Sequence, residues 1–517
     1  MQVLVLVARL LWAAFVIATP VLGVWVGSSI AAYLNKPVWV AMASGLLLFP
    51  GLPIAWELFA VWRKGRRDAR QTRQTADRGA AFEPRKPFLK PVDRIILRTL
   101  FINLAFLVGL LWFYPQHGFE ALSTRGDWML DGRNGDSAER TRKRLFWTAE
   151  KLAWLYDSLK DNPFRQFADD EPGGDDVPDP TPTPQPDPAP DPDGDPAPDP
   201  DGDSTSDPTP DSTGDPGGDD RPDSRRSRAW PLAATLHPAV KSLPPDHETS
   251  IESVARYLVD REDDPYFLVK ALHDYVADRI AYDAPAYVEG RYPPQDAETV
   301  FQTRVGVCAG YAKLLSALGR AAGVTIIYVV GDARTQGWDL SGEGHAWNAV
   351  EIEGQWYLID ATWNAGSVSG KTFTKGYGTE YLFTPASVFG ITHYPDDEKW
   401  QLRTDPLSRG EFMRQPVLSP GFYANGLELV NPRRSQVTVS NGIEIEIRNP
   451  RGKYLLATWS ATHSSDRGED CQVEGRNDLR VRCRFPSAGR YDVKLFANDQ
   501  QYGSFAYAGS LGVNNDP

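Results

Sequence analysis

Cysteine is scarce. Three residues in a chain of 517 exclude a disulfide-built scaffold and a Cys-rich zinc or iron–sulfur protein. Apolar side chains are nearly missing from residues 169–223, where only Val177, Ala189 and Ala197 occur besides proline. The same tract holds 19 Asp or Glu against one Arg, with 16 Pro and 7 Gly. No core can offset the entropy of ordering such a segment, so a disordered, Pro/Asp-rich linker is expected over 169–228. Proline stiffness and carboxylate repulsion extend it, which predicts a globular part that is tethered rather than docked. The tract also dominates the formal charge of −13; the remainder of the chain is net positive. The low pI therefore reports one tract and not an acidic catalytic surface. The string DPDGD occurs at 191–195 and again at 199–203 and looks like the start of a calcium loop. The distal bidentate Glu is absent, so calcium is not expected on the linker.

Long apolar runs are present at 10–34, 38–62 and 95–114, each able to cross ~30 Å of hydrocarbon at ~1.5 Å per residue. Two full-length runs separated only by Asn35, Lys36 and Pro37 do not read as a cleaved signal peptide, so residues 1–115 are expected to form three transmembrane helices. Pro50, Pro53 and Glu57 are costly in lipid and predict a kinked or protein-packed second span. The loop 63–94 carries eleven Lys or Arg against four acids, which places it in the cytoplasm, with the N-terminus. Everything after Tyr114 then lies outside the cytoplasm. A nucleic-acid arm is the competing reading of the basic loop; its few aromatics and its position between two spans argue against a nucleic-acid partner. Residues 116–168 read as a juxtamembrane helical segment. Leu145, Phe146, Ala149, Leu152, Ala153, Tyr156 and Leu159 recur at helical spacing, to lie on headgroups, on a partner or on the protein's own domain.

Globular composition resumes over 229–410. Ile251, Val254, Ala255, Leu258 and Val259 form one helical stripe, and Asp264-Pro265 starts a second helix that contains His273, read as a packed histidine. In VGVCAGYAKLLSALGRAAGVTIIYVVG, Cys308 opens a helix that Gly323 ends before a strand. Free amides and the positive helix end favour thiolate there, although a buried structural cysteine is the plain alternative. HAWNAVEI (345–352) and QWYLIDATW (355–363) flank the turn Glu353-Gly354. A two-residue loop sets Ile352 opposite Gln355 and brings Asp360 within reach of His345. Cys308 is then the candidate nucleophile, His345 the base and Asp360 the group that orients the ring, with no metal and no cofactor.

These motifs, in this order, resemble the transglutaminase-like superfamily of papain-related cysteine enzymes. YLFTPASVFGITHYPDDEKWQL (381–402) is similar to the segment that follows the triad in kyphoscoliosis-peptidase-type proteins. The resemblance implies an α+β papain/transglutaminase-like core and thiol-dependent acyl transfer on protein or peptide amides, by hydrolysis or amide exchange. A non-catalytic envelope-binding module on the same fold is the alternative. Gln302, six residues before the thiol, is a candidate oxyanion donor beside the Cys308 amide. Trp347 and Trp363 are candidate cleft walls or, equally, core aromatics. Residues 411–517 show short alternating runs without helical stripes and predict an all-β, immunoglobulin-like sandwich. In a hairpin centred on Asn477, Cys471 faces Cys483, which makes a cross-strand disulfide feasible.

Overall fold

Three apolar helices open the chain, and each is long and apolar enough to cross a membrane: Arg9–Tyr33, Val38–Arg73 and Pro91–Phe113. The computed structural model describes residues 2–34, 36–76, 89–131, 133, 135–157, 162–168, 180, 228–335, 337–338, 342–462, 464 and 468–516. The predicted linker and both DPDGD strings lie outside the described residues, apart from Pro180 and Arg228. The second apolar helix breaks at Phe49, whose φ of −154° and ψ of 126° are extended, directly before Pro50. Proline disfavours the helical conformation at the residue before it, which suits an extended Phe49, although Leu52 stays helical before Pro53. Glu57 is neutralised by the neighbouring helix, through Arg94 at 2.6 Å and through Arg98. The kink and the protein packing expected from Pro50 and Glu57 are both present in this helix.

Of the placements open to the segment after the third apolar helix, packing on the protein's own domain is the one that forms. Helix Pro115–Arg125 lies along the first apolar helix, where Trp25 Nε1 donates to the Gly126 carbonyl at 2.8 Å and Tyr33 donates to Glu120 at 2.7 Å. Helix Asp136–Asp157 buries Phe146 and Ala149, and Phe146 lies so close to Gly410 that a Cβ there would meet its ring at 2.5 Å. Arg142 and Arg414, both buried, share the Asp127 carboxylate at 3.2 and 3.5 Å. Glu150 accepts from the Arg409 amide at 2.8 Å and from the Tyr394 hydroxyl at 3.2 Å. The globular part is therefore docked on the juxtamembrane helices, and the expectation of a purely tethered body is corrected. The signal was hidden because the contact is built from charged pairs, which in sequence read as solvated surface.

The catalytic candidate occupies the middle of the chain. Its five-stranded antiparallel sheet contains β1 (Ile326–Ala333), β2 (Glu343–Ile352), β3 (Gln355–Ile359), β4 (Leu382–Thr384) and β5 (His393–Pro395), in the order β4-β3-β2-β1-β5. Ile352 pairs with Gln355 and Asn348 with Ile359, the register the two-residue turn predicts. Glu353 and Gly354 have φ of 53° and 79°, as a tight hairpin turn between right-twisted strands requires. Helix Cys308–Ala322 packs across β1 and β2, and Asn348 donates from β2 to the Ala312 carbonyl at 3.0 Å and to Ser316 at 3.1 Å. Helices Ile251–Val259 and Pro265–Arg279 close the main core, with Leu258, Leu272, Tyr275, Leu314 and Leu318 fully buried.

The C-terminal region is all-β. One sheet holds strands Gly489–Asn498, Ala506–Asn515 and Tyr454–Ala461 at its centre; the other holds Glu428–Asn431, Gly442–Arg448, Asp478–Arg484 and Gln472–Glu474. Ile445, Val481, Val493, Leu495 and Leu511 fill the space between them. Gln472 pairs with Arg482, so the next pair outward is Cys471 and Cys483, and these two form a disulfide.

Candidate active site

The local sequence positions each group. Asp296 caps the short helix Ala297–Thr303, and Gln295 before it turns inward, its Oε1 accepting from the Val307 amide at 2.9 Å. That bond holds the residue immediately before Cys308. Gly310 permits it: a Cβ there would stand 2.6 Å from Gln295 Oε1 and 2.8 Å from Val300. Cys308 then begins its helix, where first-turn amides have no intrahelical acceptor and the helix end is electropositive. Gly323, at φ 74°, ends the helix in the left-handed conformation.

His345 lies near the start of β2, and Asp360 follows the last residue of β3. The Asp360 amide donates to the Tyr381 carbonyl at 2.8 Å, and its Oδ1 accepts from the amides of Thr362 at 2.8 Å and Trp363 at 3.1 Å. The other oxygen, Oδ2, is 2.7 Å from His345 Nε2. The Cys308 side chain lies near the His345 ring and, after Asp360, adds to the pull on it. All three side chains are buried, Cys308 completely. Burial disfavours imidazolium at His345, but the charge and hydrogen bond of Asp360, and then Cys308, more than reverse this and raise the group to about 10. At Asp360 burial acts upward, while the two neighbouring imidazoles pull harder and leave it well below the carboxylate range.

The second imidazole is His393 on β5, which sequence reasoning passed over. Its Nε2 is 3.1 Å from the same Asp360 oxygen, and its Nδ1 is 2.9 Å from the Thr392 hydroxyl. Burial lowers it to about 4, so the ring is neutral, donates from Nε2 and accepts at Nδ1. Only a Thr-His pair before Tyr-Pro in the quoted 381–402 segment could have flagged it. Ligand atoms of His345, Asp360 and His393 lie within 4.8 Å of one another, a spacing that could also hold a metal ion. The two short hydrogen bonds to one oxygen account for that spacing without one.

The remaining candidates divide. Gln302 is exposed and donates to Glu298 at 2.6 Å on the outside of its helix, so it does not reach Cys308; the oxyanion expectation for it is corrected. A glutamine seven residues further upstream, Gln295, holds the helix entry instead. Trp347 is 1% exposed and lies in the cluster with Phe389 and Trp400, which makes it a core aromatic and not a cleft wall. Trp363 is half-buried, its ring 5.6 Å from His345 and 4.5 Å from His393. His273 is fully buried and bonded to Asp274 and Asn364, the packed histidine expected.

Comparison with known proteins agrees with this architecture. Residues 252–361 match the model of the transglutaminase-like superfamily, and residues 409–514 match the KY-like, immunoglobulin-like domain. Kyphoscoliosis peptidase of Mus musculus is 31% identical over 248 residues, covering 46% of this chain and 37% of the relative. The Homo sapiens protein of the same name is 34% identical over 239 residues, covering 44% and 35%. The chain thus spans little more than a third of the length of these relatives. A solved structure described as a TGase is 20% identical, covers 26% of this chain and 36% of that one, and has a TM-score of 0.19, too low to speak to shape. The chain carries a transglutaminase-like domain followed by a KY-like, immunoglobulin-like domain.

Proposed function

We propose that this protein is a membrane-anchored cysteine enzyme whose catalytic domain lies outside the cytoplasm and acts on amides of proteins or peptides by thiol acyl transfer. The observation that carries the reading is a helix-borne sulfur beside an imidazole that a buried carboxylate holds at 2.7 Å. Cys308 Sγ attacks the amide carbonyl, forming a carbon–sulfur bond. His345 delivers a proton to the departing nitrogen as the carbon–nitrogen bond breaks, leaving a thioester and a free amine. Water or a second amine, deprotonated by His345, then attacks the thioester and regenerates the thiol. Asp360 keeps the imidazole in its working tautomer and stabilises imidazolium. The printed name of the mammalian relatives, a peptidase, favours water as the second nucleophile.

The membrane placement rests on the three apolar helices and the basic loop 63–94. The disulfide between Cys471 and Cys483 supports an oxidising compartment for the sandwich. The complete burial of Cys308 is the one observation that favours a binding module over an enzyme. The test offers the full chain in detergent a dansylated amine together with a peptide mixture, and reads products by mass spectrometry. Cleavage or conjugation that disappears with Cys308→Ala supports the enzyme. Neither product, with all peptides recovered intact, removes it.

A further inference from the structure

Residues Asn162–Ala168 come from the juxtamembrane side of the predicted linker, yet they lie against the end of the sheet that bears His345. Asn162 Nδ2 donates to the Gly331 carbonyl at 2.9 Å, and Gly331 is the β1 partner of His345. Gly344, the residue before His345, leaves the room: a Cβ there would stand 2.7 Å from Asn162 Oδ1 and 3.3 Å from Pro163. Phe164 is 1% exposed and belongs to the same apolar cluster as Cys308, Ala309, Ala312 and Ala346. Its ring is 5.3 Å from that of Tyr292, and its carbonyl accepts from the Tyr328 hydroxyl at 3.1 Å. Arg165 pairs with Asp396 at 2.6 Å, just beyond β5, and Phe167 lies 5.8 Å beneath the Lys313 ammonium of the Cys308 helix. Tyr292 packs on the same apolar cluster as Cys308, and burial raises its phenol.

We infer that the pocket beside Cys308 is a subsite for an aromatic side chain, and that the protein's own Asn162-Pro163-Phe164-Arg165 segment occupies it as a built-in competitor of substrate. The segment has the features of a ligand: the Asn162 side chain anchors it before one large side chain, the Phe164 carbonyl anchors it at that residue, and its basic residue meets an acid at the rim. The substrate class that follows is a polypeptide presenting an aromatic residue followed by a basic one. The inference rests on the enzymatic reading for the word substrate, but not for the occupancy. Small residues at 309, 312 and 346 make the floor, which is the composition that admits a ring beside a helix.

Alkylation separates the two ideas, because Cys308 is the protein's single free thiol. The full chain in nanodiscs is treated with iodoacetamide and followed by intact mass, as wild type, Phe164→Ala and Asn162→Ala. Emptying a buried aromatic site should speed alkylation at least about tenfold in Phe164→Ala, and less in Asn162→Ala, which removes one hydrogen bond. The capped peptide Asn-Pro-Phe-Arg should then slow the Phe164→Ala reaction, whereas Asn-Pro-Ala-Arg should not. Equal rates for all three proteins, or equal protection by the two peptides, would overturn the inference while leaving catalysis open. Accelerated alkylation without any cleaved or conjugated product would keep the subsite and remove the enzyme. Should Phe164→Ala lose its cooperative thermal transition, the peptide arm is run on Asn162→Ala, where faster alkylation and selective protection by Asn-Pro-Phe-Arg support the inference and their absence overturns it.

Discussion

Two of the buried imidazole–carboxylate pairs in the middle of the chain differ in what stands on the far side of the imidazole. His345 and Asp360 face a sulfur at a helix N-terminus. His273 and Asp274 face Asn364, and the Asp274 carboxylate is shared with Lys270 and with Tyr377 at 2.6 Å. In the second cluster burial acts upward on Asp274, and His273 and Lys270 together outweigh it, so the carboxylate stays ionised inside a closed network. The first cluster has an unspent partner, the thiol; the second has none. Buried histidine beside carboxylate is therefore not a catalytic signature on its own, and the nucleophile is what distinguishes them. The two are also joined, since the Asn364 amide donates to the Asp360 carbonyl at 3.3 Å while its side chain bonds His273 at 3.0 Å.

The sharpest way to break this comparison is to neutralise each carboxylate. Asp360→Asn should lower turnover by ~10,000-fold with the fold retained, because the ring tautomer is lost. Asp274→Ala should instead cost about 3–5 kcal/mol of stability, read from the denaturant midpoint, since Lys270 is left buried without its carboxylate. If Asp274→Ala abolished thiol reactivity in a folded protein, the distinction would fail. Next in size are the histidines. His345→Ala should slow turnover by ~100-fold to 10,000-fold, whereas His273→Ala should lower stability by about 1–3 kcal/mol with thiol reactivity nearly unchanged.

Acid and alkali separate the members of the first cluster. His345 is raised to about 10, so the stability it contributes is complete below its ordinary value of 6.5 and is lost as pH rises through about 10. His393 is lowered to about 4, so its contribution is complete above 6.5 and is lost as pH falls toward 4. Thermal midpoints should decline on both sides, and His393→Gln should flatten the acid side alone. The smallest effect is expected at Gln302→Ala, which should alter turnover by less than about twofold because an exposed surface contact is being removed.

Much of the fold was legible. The hairpin register followed from a two-residue turn between alternating strands, and with it came the meeting of His345 and Asp360. The disulfide followed from the same arithmetic at Asn477. His393 was not legible because it reaches Asp360 from a three-residue strand 33 positions later, and no periodicity links such residues. Gln302 stands out on sequence distance to the thiol alone, whereas nothing in the sequence marks Gln295, whose close approach depends on Gly310. Docking of the described residues between Pro115 and Ala168 was hidden for a different reason: Arg142, Arg414 and Asp127 are charged residues that neutralise one another in the interior, and Phe164 has only Phe167 beside it in a short polar stretch with no longer repeat to mark it.

The central claim, that Cys308 forms a thioester with the help of His345, is tested most directly by offering the native full chain a peptide p-nitrophenyl ester and mapping the acyl group by mass spectrometry. Wild type, Phe164→Ala and His345→Ala should be compared side by side. The account predicts a hydroxylamine-sensitive adduct on Cys308 in wild type or, more strongly, in Phe164→Ala, and its near absence in His345→Ala. A Cys308 that acquires the acyl group in none of them until the protein is unfolded would contradict it.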